Sequence, residues 1–273
     1  MRVSRMMLCL LAGLALAGCG ARPHGKLHVI ATTSHLSQLA QKIGGEHVEA
    51  ITIIPPGGCP GHYDVRPRDV QAAADGGLLL RRGWEVFTDR LVEAAGSRRL
   101  TVATIREQGH LMIPTLRAKA AGQVGEALAE ADAKHAADYR RRARRLAVDI
   151  RAEGRSALAQ ARADGLVDLP AIAADQQAPF LRWLGLRVVG EYGRPEDLAP
   201  RSVRELLDAA RSNGVRLVVD NLQSGPDAGR QMAEELGAAR VTLSNFPGAS
   251  ERTPDWRSTL RANIAALARA AKA

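Results

Sequence analysis

The feature that most constrains this chain is an alternation of short apolar β-type runs with helical patterns, interrupted once by a long proline-free stretch. Alternation of this kind specifies parallel α/β architecture. In the first half, strands are expected at Leu27 to Thr33, Val48 to Ile54, Leu78 to Leu80 and Leu100 to Thr104, with helices at Ser34 to Ile43, Arg68 to Ala74 and Trp84 to Ala95. In the second half, strands are expected at Ala171 to Ala174, Val188 to Val189, Val215 to Asp220 and Val241 to Leu243. Helices are expected there at Ala178 to Leu184, Val203 to Asn213, Ala228 to Leu236 and Trp256 to Ala271. Between the halves, from Asp132 to about Arg162, Tyr139, Ala143, Leu146, Ile150, Ala157 and Ala161 fall at helical spacing. One long helix follows, or a hairpin broken at Gly154. The expected fold is α/β, with two lobes, each a roughly four-stranded parallel sheet flanked by helices, joined by one long bridging helix. The corresponding segments are an N-terminal lobe at 26–130, the bridging helix at 131–165 and a C-terminal lobe at 166–273. No internal repeat is visible in the sequence. Ligand-binding residues are expected where strands end, between the lobes.

The N-terminus sets the compartment. Arg2 and Arg5 precede an uncharged apolar run, Met6 to Leu16, and Leu16-Ala17-Gly18-Cys19 closes it with small residues. The run is too short for a permanent membrane span. An ordinary signal peptide is one account; the Leu-Ala-Gly-Cys sequence resembles the bacterial lipobox, which predicts a leader at 1–19 with Cys19 lipidated and the mature chain tethered to a membrane surface. Cys9 then leaves with the leader and Cys19 carries lipid. Cys59 is alone, so no intrachain disulfide can form. The formal net charge of +9 falls to +7 once Arg2 and Arg5 are removed. Export and an aromatic content of 3% argue against nucleic acid as the basic chain's partner. Arg140, Arg141, Arg142, Arg144 and Arg145 read as the solvated face of the long helix.

Chemistry concentrates in the loop Pro55-Pro56-Gly57-Gly58-Cys59-Pro60-Gly61-His62-Tyr63-Asp64-Val65-Arg66-Pro67, directly after a predicted strand. Prolines and glycines at this density fix turns, as a preorganised ligand loop requires. Cys59 and His62 offer sulfur and nitrogen to a borderline-soft ion. Taken alone, a structural histidine is the better account of such a pair. The sequence contains no G-x-S-x-G, H-E-x-x-H, P-loop or G-x-G-x-x-G motif. A hydrolase using Cys59 as nucleophile and His62 as base lacks an orienting acid. Turnover of a generic ester would favour it.

Ala31-Thr32-Thr33-Ser34, Ile54-Pro55-Pro56-Gly57, His62-Tyr63, Arg66-Pro67 and Asp69-Val70 together resemble the zinc and manganese solute-binding proteins of ABC transporters. The resemblance runs over nearly the whole mature chain. It implies a first metal ligand at His62 and a second at His110, within Gln108-Gly109-His110-Leu111-Met112-Ile113-Pro114. It also implies a final carboxylate at Asp220, in Val218-Val219-Asp220-Asn221-Leu222-Gln223-Ser224. Where the family places a third histidine, this chain reads Ala173-Ala174-Asp175-Gln176-Gln177-Ala178, so the remaining donor is one of Asp175, Gln176 and Cys59. Asp220 and Asp175 have a competing role as helix caps, and Cys59 as a packed or merely exposed thiol. The histidine- and acid-rich loop of some zinc members is missing.

The implied activity is capture of Zn²⁺ or Mn²⁺ outside the cytoplasm and delivery to an ABC transporter permease, by a monomeric, lipid-anchored, periplasmic or cell-surface protein that is not an enzyme. Affinity is expected to fall as His62 and His110 protonate below about pH 6. The runner-up keeps the fold and changes the cargo: two lobes on a long helix also occur in binding proteins for iron chelates and cobalamin. Such pockets use aromatics and arginines, and Trp183 and Tyr192 are the aromatics at hand. His35 sits near the end of the first strand but reads first as a helix-start residue; His24, His28, His47 and His135 read as solvated or packing residues.

Overall fold

A computed structural model describes residues 25–272, so the leader and the proposed lipidation at Cys19 lie outside the described residues. The first half contains β1 (Leu27–Ala31), α1 (Ser34–Gly44), β2 (Val48–Thr52), α2 (Pro67–Asp75), β3 (Leu78–Arg82), α3 (Phe87–Ala95), β4 (Thr101–Ile105) and α4 (Pro114–Ala131). Then come α5 (Ala136–Ala163), β5 (Pro170–Ala174), α6 (Ala178–Leu184), β6 (Arg187–Tyr192), α7 (Pro200–Ser212), β7 (Leu217–Asn221), α8 (Arg230–Leu236), β8 (Ala239–Leu243) and α9 (Trp256–Ala271). The strands form two four-stranded sheets, ordered β2-β1-β3-β4 and β6-β5-β7-β8, and every pairing is parallel. The two orders are equivalent. Each lobe therefore repeats the other's topology, a symmetry invisible at the level of residues.

Period-2 alternation decides which way each strand faces. Val29 and Ala31 of β1 join a central core, while Ile30 joins an outer cluster with Leu79, Phe87 and Leu91. In β7, Leu217 and Val219 point inward and Val218 points outward, toward Tyr192, Leu207 and Met232. The central core is shared: it runs from Val29 and Leu36 through Tyr139 and Ile150 of α5 to Phe180, Trp256 and Leu260 in the second half. Burial of this continuous apolar surface, at about 25 cal/mol per Å², holds both lobes to the same helices.

The long helix is unbroken at Gly154 and packs against α4. A Cβ on Gly154 would lie 2.6 Å from Pro114 Cβ, so the absence of a side chain permits the close approach of the two helices. The helix begins at Ala136 rather than Asp132, because Asp132 leaves the helical path (φ −136°) and its carboxylate takes the Tyr139 hydroxyl and the His135 ring, each at 2.7 Å. Likewise α3 begins at Phe87 rather than Trp84, since Glu85 accepts the Arg82 backbone N–H at 2.6 Å and holds a turn there. At the other end of the chain, Asp255 and Ser258 cap α9 reciprocally.

Candidate metal site

All eight strands run in parallel within their sheets, so their C-terminal ends gather at one edge of each sheet, and the segments leaving all eight strands contribute to a cavity of about 490 Å³. His35, His110 and Cys59 line it from the first lobe, and Asp175, Gln176 and Asn245 from the second. The Cys59–His62 loop is pinned beneath by Tyr63, whose hydroxyl donates to Asp69 (2.6 Å) and to the Ile53 carbonyl (3.2 Å). Asp69 also accepts the Arg66 N–H at 2.8 Å. The loop thus presents Pro60 to His62 as a single 3₁₀ turn, with His62 exposed and Cys59 half-buried.

His110 is held more firmly. Its ring stacks on Phe180 of the opposite lobe, centroids 5.6 Å apart, and Met112 N–H donates to Nδ1 at 3.3 Å. Nδ1 is therefore the acceptor, and Nε2–H donates to Asn245 Oδ1 at 2.6 Å. Burial pushes the imidazole pKa down to about 4; the Asn245 contact opposes the shift and the Arg82 charge adds to it. Burial thus favours the neutral form of the His110 ring below pH 6 in this arrangement.

Asn245 organises the interface between lobes. Its backbone carbonyl accepts from His35 Nε2 (2.8 Å), and its side-chain oxygen accepts from Gln177 Nε2 (2.8 Å) as well as from His110. His35 in turn accepts Arg117 Nη1 at 2.7 Å on Nδ1, and Arg117 lies over the Trp256 ring. Burial, then the Arg117 charge, holds the His35 pKa well below its ordinary value. Neither His35 nor Asn245 stands in a recognisable spacing with another donor, so sequence reasoning placed neither in the site.

The expected donors separate into two groups. Cys59, His110, Asp175 and Gln176 border one cavity, with His62 beside it. Asp220 does not. It follows Val218 on the outward face of β7, wholly buried, and its oxygens take the Tyr192 hydroxyl (2.8 Å), the Gly229 N–H (2.7 Å) and the Arg240 guanidinium (2.7 Å). The next residue, Asn221, faces the cavity instead. Asp175 is exposed, and its Oδ1 accepts the Gln176 N–H at 2.6 Å. Arg194, absent from the sequence-based set, reaches from the second lobe to His62 (2.7 Å to Nδ1) and to Cys59 Sγ (2.9 Å). Among the described residues, no three His, Cys, Asp or Glu side chains converge as a metal cluster in this arrangement. No helix among them is long and apolar enough to cross a membrane.

A family model described as the zinc-uptake complex component A, periplasmic, ZnuA, matches residues 29–270. Among curated proteins, the chain is 35% identical over 88 residues to the manganese-binding lipoprotein MntA of Bacillus subtilis, 30% of this chain and 29% of that one. It is 29% identical over 102 residues to the metal ABC transporter substrate-binding lipoprotein ScbA of Streptococcus cristatus, 33% of each. The chain thus aligns with about a third of the length of these curated relatives. In fold, it superposes on a crystal structure of ZnuA with a TM-score of 0.76 at 18% identity, covering 90% of this chain and 99% of that one. The laminin-binding protein Lmb of Streptococcus agalactiae gives 0.76 at 17% identity, covering 89% and 99%. With the family model spanning both lobes and the helices between them, the chain belongs to the periplasmic zinc-uptake component A (ZnuA) family.

Proposed function

We propose that this protein captures a divalent metal ion, Zn²⁺ or Mn²⁺, in the interlobe cavity outside the cytoplasm and delivers it to an ABC transporter permease, anchored to the membrane through Cys19. The observation that carries the reading is His110: an imidazole on the wall of a cavity bordered by both lobes, its pKa lowered to about 4 by desolvation. Imidazole nitrogen is a donor suited to both ions, and a thiolate favours zinc. His62 supplies the second imidazole from the opposite rim once it leaves Arg194. Cys59, Asp175 and Gln176 are the remaining donors within the same rim, and Asp220 acts instead as a buried brace of the second lobe. On this reading the protein is a carrier, in keeping with the zinc-uptake component family to which it belongs. Relatives named as metal-binding lipoproteins support this reading.

Chelator-stripped protein from residue 20 onward, titrated calorimetrically with Zn²⁺ and separately with Mn²⁺, tests it. One ion per chain is expected, and His110→Ala weakens binding by at least a hundredfold. Unchanged affinity in both His110→Ala and His62→Ala would remove the cavity as the capture site.

A further inference from the structure

The cavity is lined for an anion as much as for a cation. Arg82 is 7% exposed, and its Nη2 donates to the carbonyls of Glu107 (2.7 Å) and Gly109 (2.9 Å), fixing the loop that carries His110. Its buried Nε has no partner. Arg117 is 2% exposed behind His35, and Arg194 stands at the rim. Among the described residues neither Arg82 nor Arg117 has a carboxylate within ion-pair distance, and Arg194 has only Glu196 at 3.9 Å. Burial pushes the neighbouring Glu85 carboxyl up to about 7, so it is an incomplete counter-charge for Arg82. Among the described residues, Asp175 is the one carboxylate on the cavity wall.

Two guanidiniums on the cavity wall, Arg82 and Arg194, with Arg117 behind His35, make a positive potential that opposes entry of a bare divalent ion. The volume, about 490 Å³, is that of a small-molecule pocket and far exceeds an ion in a closed protein shell. Arg194 adds the decisive detail: a cation already occupies the donor atoms of His62 and Cys59. A neutral imidazole is a poor partner for guanidinium, whereas a carboxylate or phosphate matches its fork and binds it bidentately.

We infer that the cargo is taken up as an anionic complex, a divalent ion already ligated by a small oxyanion chelator, with the chelator on Arg82 and Arg194 and the ion on His110 and His62. The chelator draws Arg194 off His62 and so frees that imidazole for the metal. No bond other than coordination is made or broken. The inference rests on the metal-capture reading above, and the two can fail separately.

Equilibrium dialysis of the leaderless protein against fixed total Zn²⁺ or Mn²⁺, with citrate or pyrophosphate raised from none to large excess, distinguishes them. Retained or increased metal occupancy, as the free ion falls more than a hundredfold, is the expected result. Citrate acting alone among the two identifies a carboxylate chelator, and pyrophosphate alone a phosphate one. In Arg194→Gln the occupancy becomes chelator-sensitive. If wild-type occupancy falls in proportion to the free ion with both chelators, the inference is overturned while metal capture stands. Equal binding of chelator without metal overturns it too. Protein that retains no metal in any condition overturns both readings.

Discussion

At the scale of single residues, the molecule separates donors from braces by strand parity. Asp220 carries the sequence pattern of a metal ligand, yet one position on β7 turns it outward to Tyr192 and Arg240. Removing one member of a buried charged pair costs about 3 kcal/mol. Asp220→Ala is therefore expected to lower unfolding free energy by about that amount in denaturant titration, with metal stoichiometry unchanged in the folded fraction; lost metal binding at full stability would restore Asp220 as a ligand. His62 and His110 stand out in the sequence because each sits in a distinctive local motif. Arg194, Asn245 and Gln177 were not. Their roles come from contacts across 44 to 135 positions of sequence, and such contacts leave no local spacing to read.

At the scale of elements, nearly every strand and helix was readable, because apolar runs of about five residues and amphipathic helices carry their own periodicity. No bounds were read for α4 (Pro114–Ala131), and the other errors were at ends, where a side chain overrides the pattern: Asp132 at the start of α5 and Glu85 ahead of α3. Gly154 left open a break in the helix that the structure lacks. Its reason is packing, since Pro114 occupies the space a side chain would need. Gly154→Val should destabilise by about 3 kcal/mol or more through overpacking, and chemical denaturation measures it. Gly185 ends α6 at φ 96°, passing the chain directly into β6.

At the scale of the whole molecule, the two lobes repeat one topology and share one core, a relation the sequence conceals because the matching positions hold different residues. The buried interface also ties stability to pH. His110 and His35 both have folded pKa values below the unfolded value near 6.5. The folded state then binds fewer protons than the unfolded one, so their contribution is present above pH 6.5 and is lost as pH falls toward 4. Thermal melting of metal-free protein should show Tm falling across that window, with a shallower fall in His110→Gln; an identical slope in the variant would contradict the assignment.

The central claim is that one divalent ion sits between the lobes on His110 and His62. An anomalous difference map from crystals grown with Zn²⁺ tests it most directly. The account predicts a single strong peak in the interlobe cavity, about 2.0–2.1 Å from a ring nitrogen of each histidine, with Arg194 displaced from His62. A peak elsewhere, or a cavity peak without histidine nitrogen in its coordination shell, would contradict it.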